Sequence, residues 1–519
     1  MTAGALASAA PVLAALLLQK GGAVAGPMAR AASPIIVGVA LAYFAVVAGI
    51  SVWAARRTRT AADFFVAGHG IGLVALTVAS VSTSVSGFAF IGGPGLLYAT
   101  GLGALYIILP AAVTNVLGAW VLAKRMRLLG EARGLLTVPD AVGARYNSPL
   151  AQGIAAVAIL CGTVGYVATN CLAVGYVLDA IFGVGVPAGI WIGTGVTLAY
   201  SVAGGILAGI YNDVFQGTLM ALASTLVFGF VLSAGGGLGE ISRSIVPADP
   251  AFLGPFGRAT PLAALSLFFV FGMGALGQPQ AVHKYYMLRD PQQLKWYPLL
   301  KTVGQLVVLL LFFGVGVGVR ALVARGALAP LDRPDAATPT FLLRFTPALL
   351  AAVVFSGVAA ATMGAVNSFL NIAAAAVTHD LPVAFGRTPR DELRRGRWAT
   401  LAVAVVAAVI AQRSGALVAF LGVFGWGLFG STLVPALAVG LNWPGATRAG
   451  AIASMLTGLA TTLLLESLAY FKVFAFPAGV TGTAAALVLS LLVFFAVSWA
   501  TRRGAAAAIA PDVRLVMEV

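Results

Sequence analysis

About thirteen stretches of roughly 20 apolar residues run along this chain, each long enough to cross ~30 Å of hydrocarbon as a helix. Hydrophobic residues make up 60% of the sequence and charged residues only 9%, so no soluble domain has room to fold. The predicted fold class is therefore an all-α polytopic membrane protein. The predicted helices lie near residues 34–55, 71–100, 102–123, 150–180, 187–203, 212–235, 262–283, 300–324, 346–378, 398–411, 416–440, 449–468 and 478–500.

The basic residues mark loops. The net charge is +15, but the Lys and Arg residues form no patch interleaved with stacking aromatics, so nucleic acid is not an expected partner. About two thirds of them fall on one side of the predicted bundle, including those of the 284–301 segment. The positive-inside rule then predicts a plasma-membrane protein with its N-terminus outside and its C-terminus in the cytoplasm.

The two ends of the chain carry no predicted function. Residues 1–33 form an N-terminal extension of uncertain status, with a short apolar run at 4–18 that lacks the basic residues of a secretory signal. Met28 offers an alternative start. Residues 501–519 form a predicted cytoplasmic tail.

Two predicted helices, five segments apart, are interrupted by glycine and proline. In transporters built from two inverted repeats, the first helix of each repeat is discontinuous and lines a site at the membrane midplane. Backbone groups freed by a helix break cannot face lipid, so a break is buried in protein or lines a wet cavity. The alternative interpretation is that the small residues only let neighbouring helices pack closely. The interrupting residues are Gly87, Gly92, Gly93, Pro94 and Gly95 in the first segment, and Gly272, Gly274, Gly277 and Pro279 in the second.

Seven ordered motifs between residues 34 and 500 carry a family resemblance: DFFVAGHGIG, SGFAFIGGPGLLYATGLG, VPDAVGARYNS, AGGILAGIYNDVFQG, GQPQAVHKYY, NSFLNIAAAAVTHDL and FGWGLFGSTLVPAL. The chain resembles the sodium/solute symporter family, and most closely its proline and pantothenate branches. The resemblance implies a leucine-transporter-like fold of two inverted five-helix repeats. It places a symporter domain at 34–500, with core repeats at about 71–235 and 262–440.

The resemblance also implies a sodium site between the first broken helix and the helix near 346–378. Backbone carbonyls at Ser82, Val85 and Ala361 would contribute, together with two adjacent hydroxyls. Gly364 and Ala365 stand where those hydroxyls are expected. Losing two of about five ligands should weaken sodium binding by about 1–3 kcal/mol if they are not replaced.

Asp213 matches a family aspartate on the ion's exit path to the cytoplasm. An ionisable residue at membrane depth is a functional candidate by default, although a helix cap would also explain it. If sodium is lost, this carboxylate could carry a proton instead. Sodium and proton coupling both stay open.

The predicted substrate site combines the two breaks with the fourth segment. Thr163, Tyr166 and Asn170 form one polar stripe there, which points at the pocket or bonds a neighbouring helix. No Arg or Lys is expected at pocket level, so hydroxyls and half-helix ends would meet a carboxylate. The substrate-binding candidates are Ser84, Ser86, Gly87, Phe88, Tyr166, Asn170, Phe271, Ala275, Gln278 and Pro279, with Trp426 helping to close the site.

Three histidines complete the ionisable candidates. His69, His283 and His379 are interpreted as interfacial polar residues, with a proton relay as the alternative.

The predicted function is a secondary active symporter that moves a small organic solute by alternating access. The solute is a monocarboxylate, a pantothenate-like acid or an amino acid, and sodium or a proton is the coupling ion. The chain shows no nucleophile–base pair, metal cluster or phosphate loop, so it is not expected to be an enzyme. No cofactor and no obligatory protein partner are expected besides solute and lipid. A transporter-like solute sensor and a channel are the alternatives.

Overall fold

The computed structural model describes residues 34–58, 60, 65–67, 70–387, 391–413, 418–474, 476–503 and 509–518. These residues are helical throughout, apart from loops and one isolated bridge between Ile71 and Leu288. Nine of the described helices are long and apolar enough to span a membrane. They are Pro34–Ala55, Phe88–Ile107, Pro149–Phe182, Ile206–Gly235, Tyr297–Ala324, Ala348–Ala384, Gly422–Val439, Arg448–Tyr470 and Gly482–Ala500.

The all-helical membrane fold is thus confirmed, whereas the number of thirteen spans is not. A bent pair, Pro261–Gly277 with Pro279–Met287, would make a tenth span. The other three predicted stretches are helical but do not qualify as spans. The stretch at 187–203 begins the helical run Val186–Gly235, whose first part, Val186–Ala199, is too short to span a membrane. The stretch at 102–123 changes helix type several times, and 398–411 lies in Glu392–Arg413, whose first turns carry charge.

The first broken helix starts at Leu73 and changes geometry at Ser84. Leu73–Ser84 is α-helical, Phe88–Gly92 is a π turn, and Gly93–Thr100 resumes the α-helix. Gly87 lies at the break against Ala173 and Thr362, where a Cβ would stand only 2.6 Å from the Ala173 methyl. The absence of a side chain is what lets two neighbouring helices close on this point.

The second broken helix shows the same design with different residues. Pro261–Gly274 is α-helical and runs into a 3₁₀ turn at Ala275–Gly277. Gln278 is extended, with φ −71° and ψ 108°, because the following proline disfavours the helical conformation. Helix then restarts at Pro279, and the two halves are bent by 41°.

Helix starts follow the capping chemistry of the sequence. The hydroxyl of Ser148 accepts a bond from Ala151 N at 3.2 Å at the start of Pro149–Phe182. Thr137 and Asp140 form a reciprocal capping box at the start of Val138–Tyr146. Such caps satisfy backbone N–H groups that have no partner within the helix.

The remaining described elements surround this core. A helical run, Val186–Gly235, packs against Ala348–Ala375 and Pro149–Phe182. The β-bridge ties the start of the first broken helix to the end of the second, with Ile71 N donating to Met287 O at 3.0 Å. The other elements are Pro110–Gly118, Ala119–Ala123, Lys124–Arg133, Leu238–Ile245, His283–Met287, Pro291–Lys295, Pro334–Ala336, Ala337–Phe345, Ala376–Asp380, Leu381–Ala384, Val418–Leu433, Val434–Val439, Pro477–Gly479 and Pro511–Met517.

Candidate functional site

A cavity lies between the two broken helices. Three aromatic rings form one wall: Phe271 stacks on Phe88 with 5.9 Å between centroids and on Trp426 with 5.2 Å. Ser84, Ala275, Gln278 and Tyr166 also line it. Seven of the eleven predicted substrate residues therefore surround one space, and their contact with a solute stays a prediction.

Another part of the cavity lining, here called the polar wall, carries polar side chains. Asn115 donates to Gln305 at 2.8 Å, and Tyr285 and Lys301 line the same space. Lys301 is only 5% exposed. The expectation that no basic residue lies at pocket level is therefore wrong. Lys301 lies on the buried face of helix Tyr297–Ala324, whereas Leu299 and Leu300 beside it are 56% and 40% exposed.

The other four predicted substrate residues support the breaks instead of lining the cavity. Asn170 accepts from Gly87 N at 3.0 Å, so its amide satisfies a backbone group freed by the first break. Ser86 shares a hydrogen bond of 3.0 Å with the Tyr166 hydroxyl. Pro279 is buried and begins the second half-helix. These contacts fix the geometry of the breaks.

Gln278 both lines the cavity and repairs the second break. Its amide donates to Gly274 O at 2.9 Å and to Trp426 O at 3.1 Å. One side chain thus links the second broken helix to the helix that carries Trp426. Thr163, the third member of the predicted stripe, is fully buried, and its hydroxyl has no hydrogen-bond partner.

The predicted ion region contains acidic and amide oxygens near the positions where the resemblance implies hydroxyls. A Cβ on Gly364 would meet Asp213 Oδ1 most closely, then Gln216 Oε1 at 2.7 Å and Ser82 Oγ at 3.5 Å. Both Asp213 Oδ1 and Gln216 Oε1 are buried without a hydrogen-bond partner. Val85, Ala361 and Ala365 are buried as well. The space left by the missing hydroxyls is therefore faced by a carboxylate and an amide oxygen.

Lys284 reaches the same region from the second broken helix. Its ammonium lies 3.1 Å from Asp213 Oδ2, and donates to Ala79 O at 2.6 Å and to the Thr83 hydroxyl. Thr83 in turn donates to Asp213 Oδ2 at 3.0 Å. The ion pair is buried, with side-chain exposures of 1% and 0%. Asp213 is buried, and its role on an ion path stays a prediction. The sequence did not indicate Lys284 as its partner.

A second buried cluster joins Val138–Tyr146 to the end of the helix that carries Gly364. The imidazole of His379 lies 3.1 Å from Asp140 and 3.1 Å from Glu392. Gln152 donates to both Asp140 and Asp380, at 2.7 and 3.1 Å. Burial would raise the pKa of Asp140, but the His379 hydrogen bond and the Leu136 N–H hold that pKa below its usual value.

This cluster is the one group of described residues that could hold a metal ion, through Asp140, His379 and Asp380. No sequence motif indicated it, because its members come from segments more than 200 residues apart. His283 is hydrogen-bonded through Nε2 to Leu136 O at 2.9 Å, so it holds two segments together. His69 lies outside the described residues.

Comparison with known proteins is consistent across sequence and structure. Residues 64–458 match the model of the Sodium:solute symporter family. The osmoregulated proline transporter OpuE of Bacillus subtilis is 26% identical over 471 residues, covering 90% of this chain and 94% of the relative. The sodium/pantothenate symporter of Escherichia coli is 25% identical over 428 residues, covering 80% and 88%.

Among solved structures, the chain is similar to a substrate-bound, outward-open Na⁺-coupled sialic acid symporter. The TM-score is 0.74 at 18% sequence identity, and the match covers 89% of this chain and 98% of the other. At this identity the likeness concerns the fold.

Proposed function

Since this chain belongs to the sodium:solute symporter family, we propose that it accumulates a small organic solute in the cavity between its two broken helices, driven by protons bound at Asp213. Its relatives are named as transporters and symporters, and they give no support to the sensor alternative. The solute crosses by alternating access without chemical conversion. The aromatic wall and the polar wall of the cavity bind different parts of the same solute molecule.

The observation that carries the choice of ion is the Lys284–Asp213 pair. A positive charge already lies 3.1 Å from the only carboxylate of the ion region among the described residues. A sodium ion at Gly364 would have Asp213, Gln216 and Ser82 as its side-chain ligands and would be repelled by the ammonium nearby. A proton on Asp213 Oδ1 needs no set of coordinating oxygens.

Gln216 can follow Asp213 through both protonation states. A protonated Oδ1 would donate to Gln216 Oε1, while the amide nitrogen donates to the Tyr43 hydroxyl, to which it lies at 2.9 Å. After proton release, the amide can turn over, donate to Oδ1 and accept from Tyr43 instead. The two acceptors, Asp213 Oδ1 and Gln216 Oε1, then have a hydrogen-bond partner in both states. When Asp213 is protonated, the Lys284 ammonium keeps its hydrogen bonds to Ala79 O and to the Thr83 hydroxyl.

Uptake into proteoliposomes tests the proposal. The labelled probes are pyruvate, pantothenate and proline, each presented first with an acid-outside gradient in potassium buffer and then with an inward sodium gradient at equal pH. We expect accumulation of at least one probe under the pH gradient without sodium. Asp213→Asn should abolish accumulation while leaving counterflow exchange of the solute measurable.

Glu466→Gln is the control, because Glu466 is a half-buried carboxyl that accepts from Thr483 N at 3.2 Å and does not line the cavity. It should accumulate solute like the wild type. Uptake that depends on sodium and ignores the pH gradient would overturn proton coupling.

The orientation in the plasma membrane is part of the same proposal. The N-terminus of helix Pro34–Ala55 lies outside and the C-terminus inside, since most basic residues then face the cytoplasm. Fusing alkaline phosphatase and a fluorescent protein in turn after residue 503 tests this. Fluorescence without phosphatase activity is expected, and the reverse result would invert the orientation.

A further inference from the structure

We infer that Lys301 binds the carboxylate of the solute, which makes this a transporter of organic monoanions that carry no ammonium group. The inference rests on the proposed function in one respect, since it takes the cavity between the broken helices as the solute site. It adds the chemical class of the solute and the side chain that selects it.

Lys301 has no counterion among the described residues, unlike the other buried lysine. Four lysine and arginine side chains are less than 9% exposed in the part of the chain that the structure describes. Arg127 donates to Leu288 O at 2.7 Å, Arg145 donates to Gly440 O at 2.7 Å, and Lys284 has Asp213. Lys301 has neither an ion pair nor a hydrogen bond with any described residue. Its neighbour is the Tyr297 ring, with Nζ 5.8 Å from the centroid.

Burying the Lys301 ammonium without a counterion lowers the stability of the protein. A buried charge without a counterion is destabilising by several kcal/mol and persists where it serves a function. Lys301 lines the cavity, so its charge is open to the solute and not to lipid. A carboxylate brought by the solute would supply the missing counterion.

No Asp or Glu lies among the described residues that line the cavity, while Lys284 nearby is already neutralised by Asp213. Ser84, on the first broken helix, offers the cavity a hydroxyl and no carboxylate. An amino acid's ammonium would therefore find no carboxylate and would be repelled by Lys301, which disfavours zwitterions.

The cavity has polar side chains as well as aromatic rings for a solute to contact. The Asn115–Gln305 amide pair and Tyr285 line the cavity beside Lys301, whereas Phe88, Phe271 and Trp426 form the aromatic wall. A carboxylate at the polar wall and an apolar or hydroxylated body at the aromatic wall would use both surfaces. An organic monocarboxylate with an apolar or hydroxylated body fits this description.

Pairs of acid and neutral analogue test the inference. In proteoliposomes under the acid-outside gradient, pyruvate is compared with pyruvamide, pantothenate with panthenol, and proline serves as the zwitterion. We expect uptake of at least one acid and no uptake of its neutral analogue or of proline. Uptake of proline or of a neutral analogue at the rate of the acids overturns the inference. The absence of uptake for every acid overturns it too.

Three lysine variants separate recognition from folding. Lys301→Met should raise KM for the transported acid on the order of 30-fold or more, because truncating one member of a buried charge pair leaves the other unpaired. Lys301→Arg keeps the charge and should retain most of the affinity. Lys295→Met, at an exposed lysine just before the same helix, should leave KM unchanged. An unchanged KM in Lys301→Met would mean that the ammonium only reaches toward the membrane interface.

The two proposals fail in different ways. Lys301-dependent uptake of an acid driven by sodium would contradict proton coupling and leave the role of Lys301 intact. Proton-driven uptake that is indifferent to Lys301→Met would contradict the role of Lys301 and leave the coupling proposal intact.

Discussion

Two lysines of the same region, Lys284 and Lys301, are buried to nearly the same degree, at 1% and 5% exposure, yet they have opposite surroundings. Lys284 has a carboxylate, a hydroxyl and a carbonyl around its ammonium. Lys301 has an aromatic ring and an open cavity. The paired lysine completes the protein's own ion region, and the unpaired lysine leaves a charge for a solute to complete.

The effect of a buried charge therefore depends on whether it has a partner of opposite charge, and not on its burial alone. Removing one member of a complete pair leaves an uncompensated charge in the bundle, whereas removing an unpaired charge leaves nothing behind. Substitutions at the two lysines and beside them should therefore have effects of different size.

The largest effect is expected for Lys284→Met. It leaves Asp213 charged and buried without its partner, which costs about 3–5 kcal/mol of the free energy of unfolding. Thermal unfolding of the purified protein in detergent should show the lowest melting temperature of the series. Lys284→Met with Asp213→Asn should recover part of the loss, and a single variant as stable as wild type would contradict the pairing.

Gly364→Ala is expected to have the next largest effect. Its methyl group would press on Asp213 and would lie 2.7 Å from Gln216 Oε1, so the acid must move relative to Lys284. Overpacking of this kind costs about 1–3 kcal/mol. Gly357→Ala on the same helix is the control, since its nearest contact would be an ordinary 3.5 Å to the Ala223 methyl. Equal melting temperatures for the two variants would argue against a filled ion region.

Asp335 gives an acidic counterpart to the unpaired lysine. Burial raises its pKa to about 7, although Val418 N donates to the carboxylate at 3.2 Å. A carboxyl whose pKa is higher in the folded state loses stability as the pH rises from about 4, its ordinary value, to about 7. The melting temperature should fall between pH 5 and pH 8, and Asp335→Asn should flatten that fall. An identical pH profile in the variant would contradict a buried titrating acid at this position.

Lys301→Met should have the smallest effect on stability. No described acid is orphaned by the change, and an apolar side chain of similar length fills the same space, so the melting temperature should stay the same or rise. Differential scanning fluorimetry in the absence of solute measures this. A loss as large as that of Lys284→Met would show that the two lysines are equivalent after all.

Much of the helical fold could be predicted because apolar length is a local property. The interruptions at Gly87 and Pro279 could also be predicted, since glycine and proline act on their own backbone. The environment of the two lysines could not. Both were assigned to a cytoplasmic basic segment, and only the fold brings Asp213 to one of them and leaves the other facing the cavity. The Asp140–His379–Asp380 cluster escaped prediction for the same reason.

The most direct test of the ion region requires no solute. The protein is melted in detergent in NaCl and in KCl at equal ionic strength, at two pH values. An ion present at a concentration 100 times its dissociation constant adds about 2.7 kcal/mol to the free energy of unfolding. A sodium site would therefore raise the melting temperature measurably. With Lys284 as the resident cation and a proton as the coupling ion, the account predicts equal melting temperatures in the two salts. It also predicts a pH dependence that is reduced in Asp213→Asn. A sodium-specific rise at both pH values would contradict it.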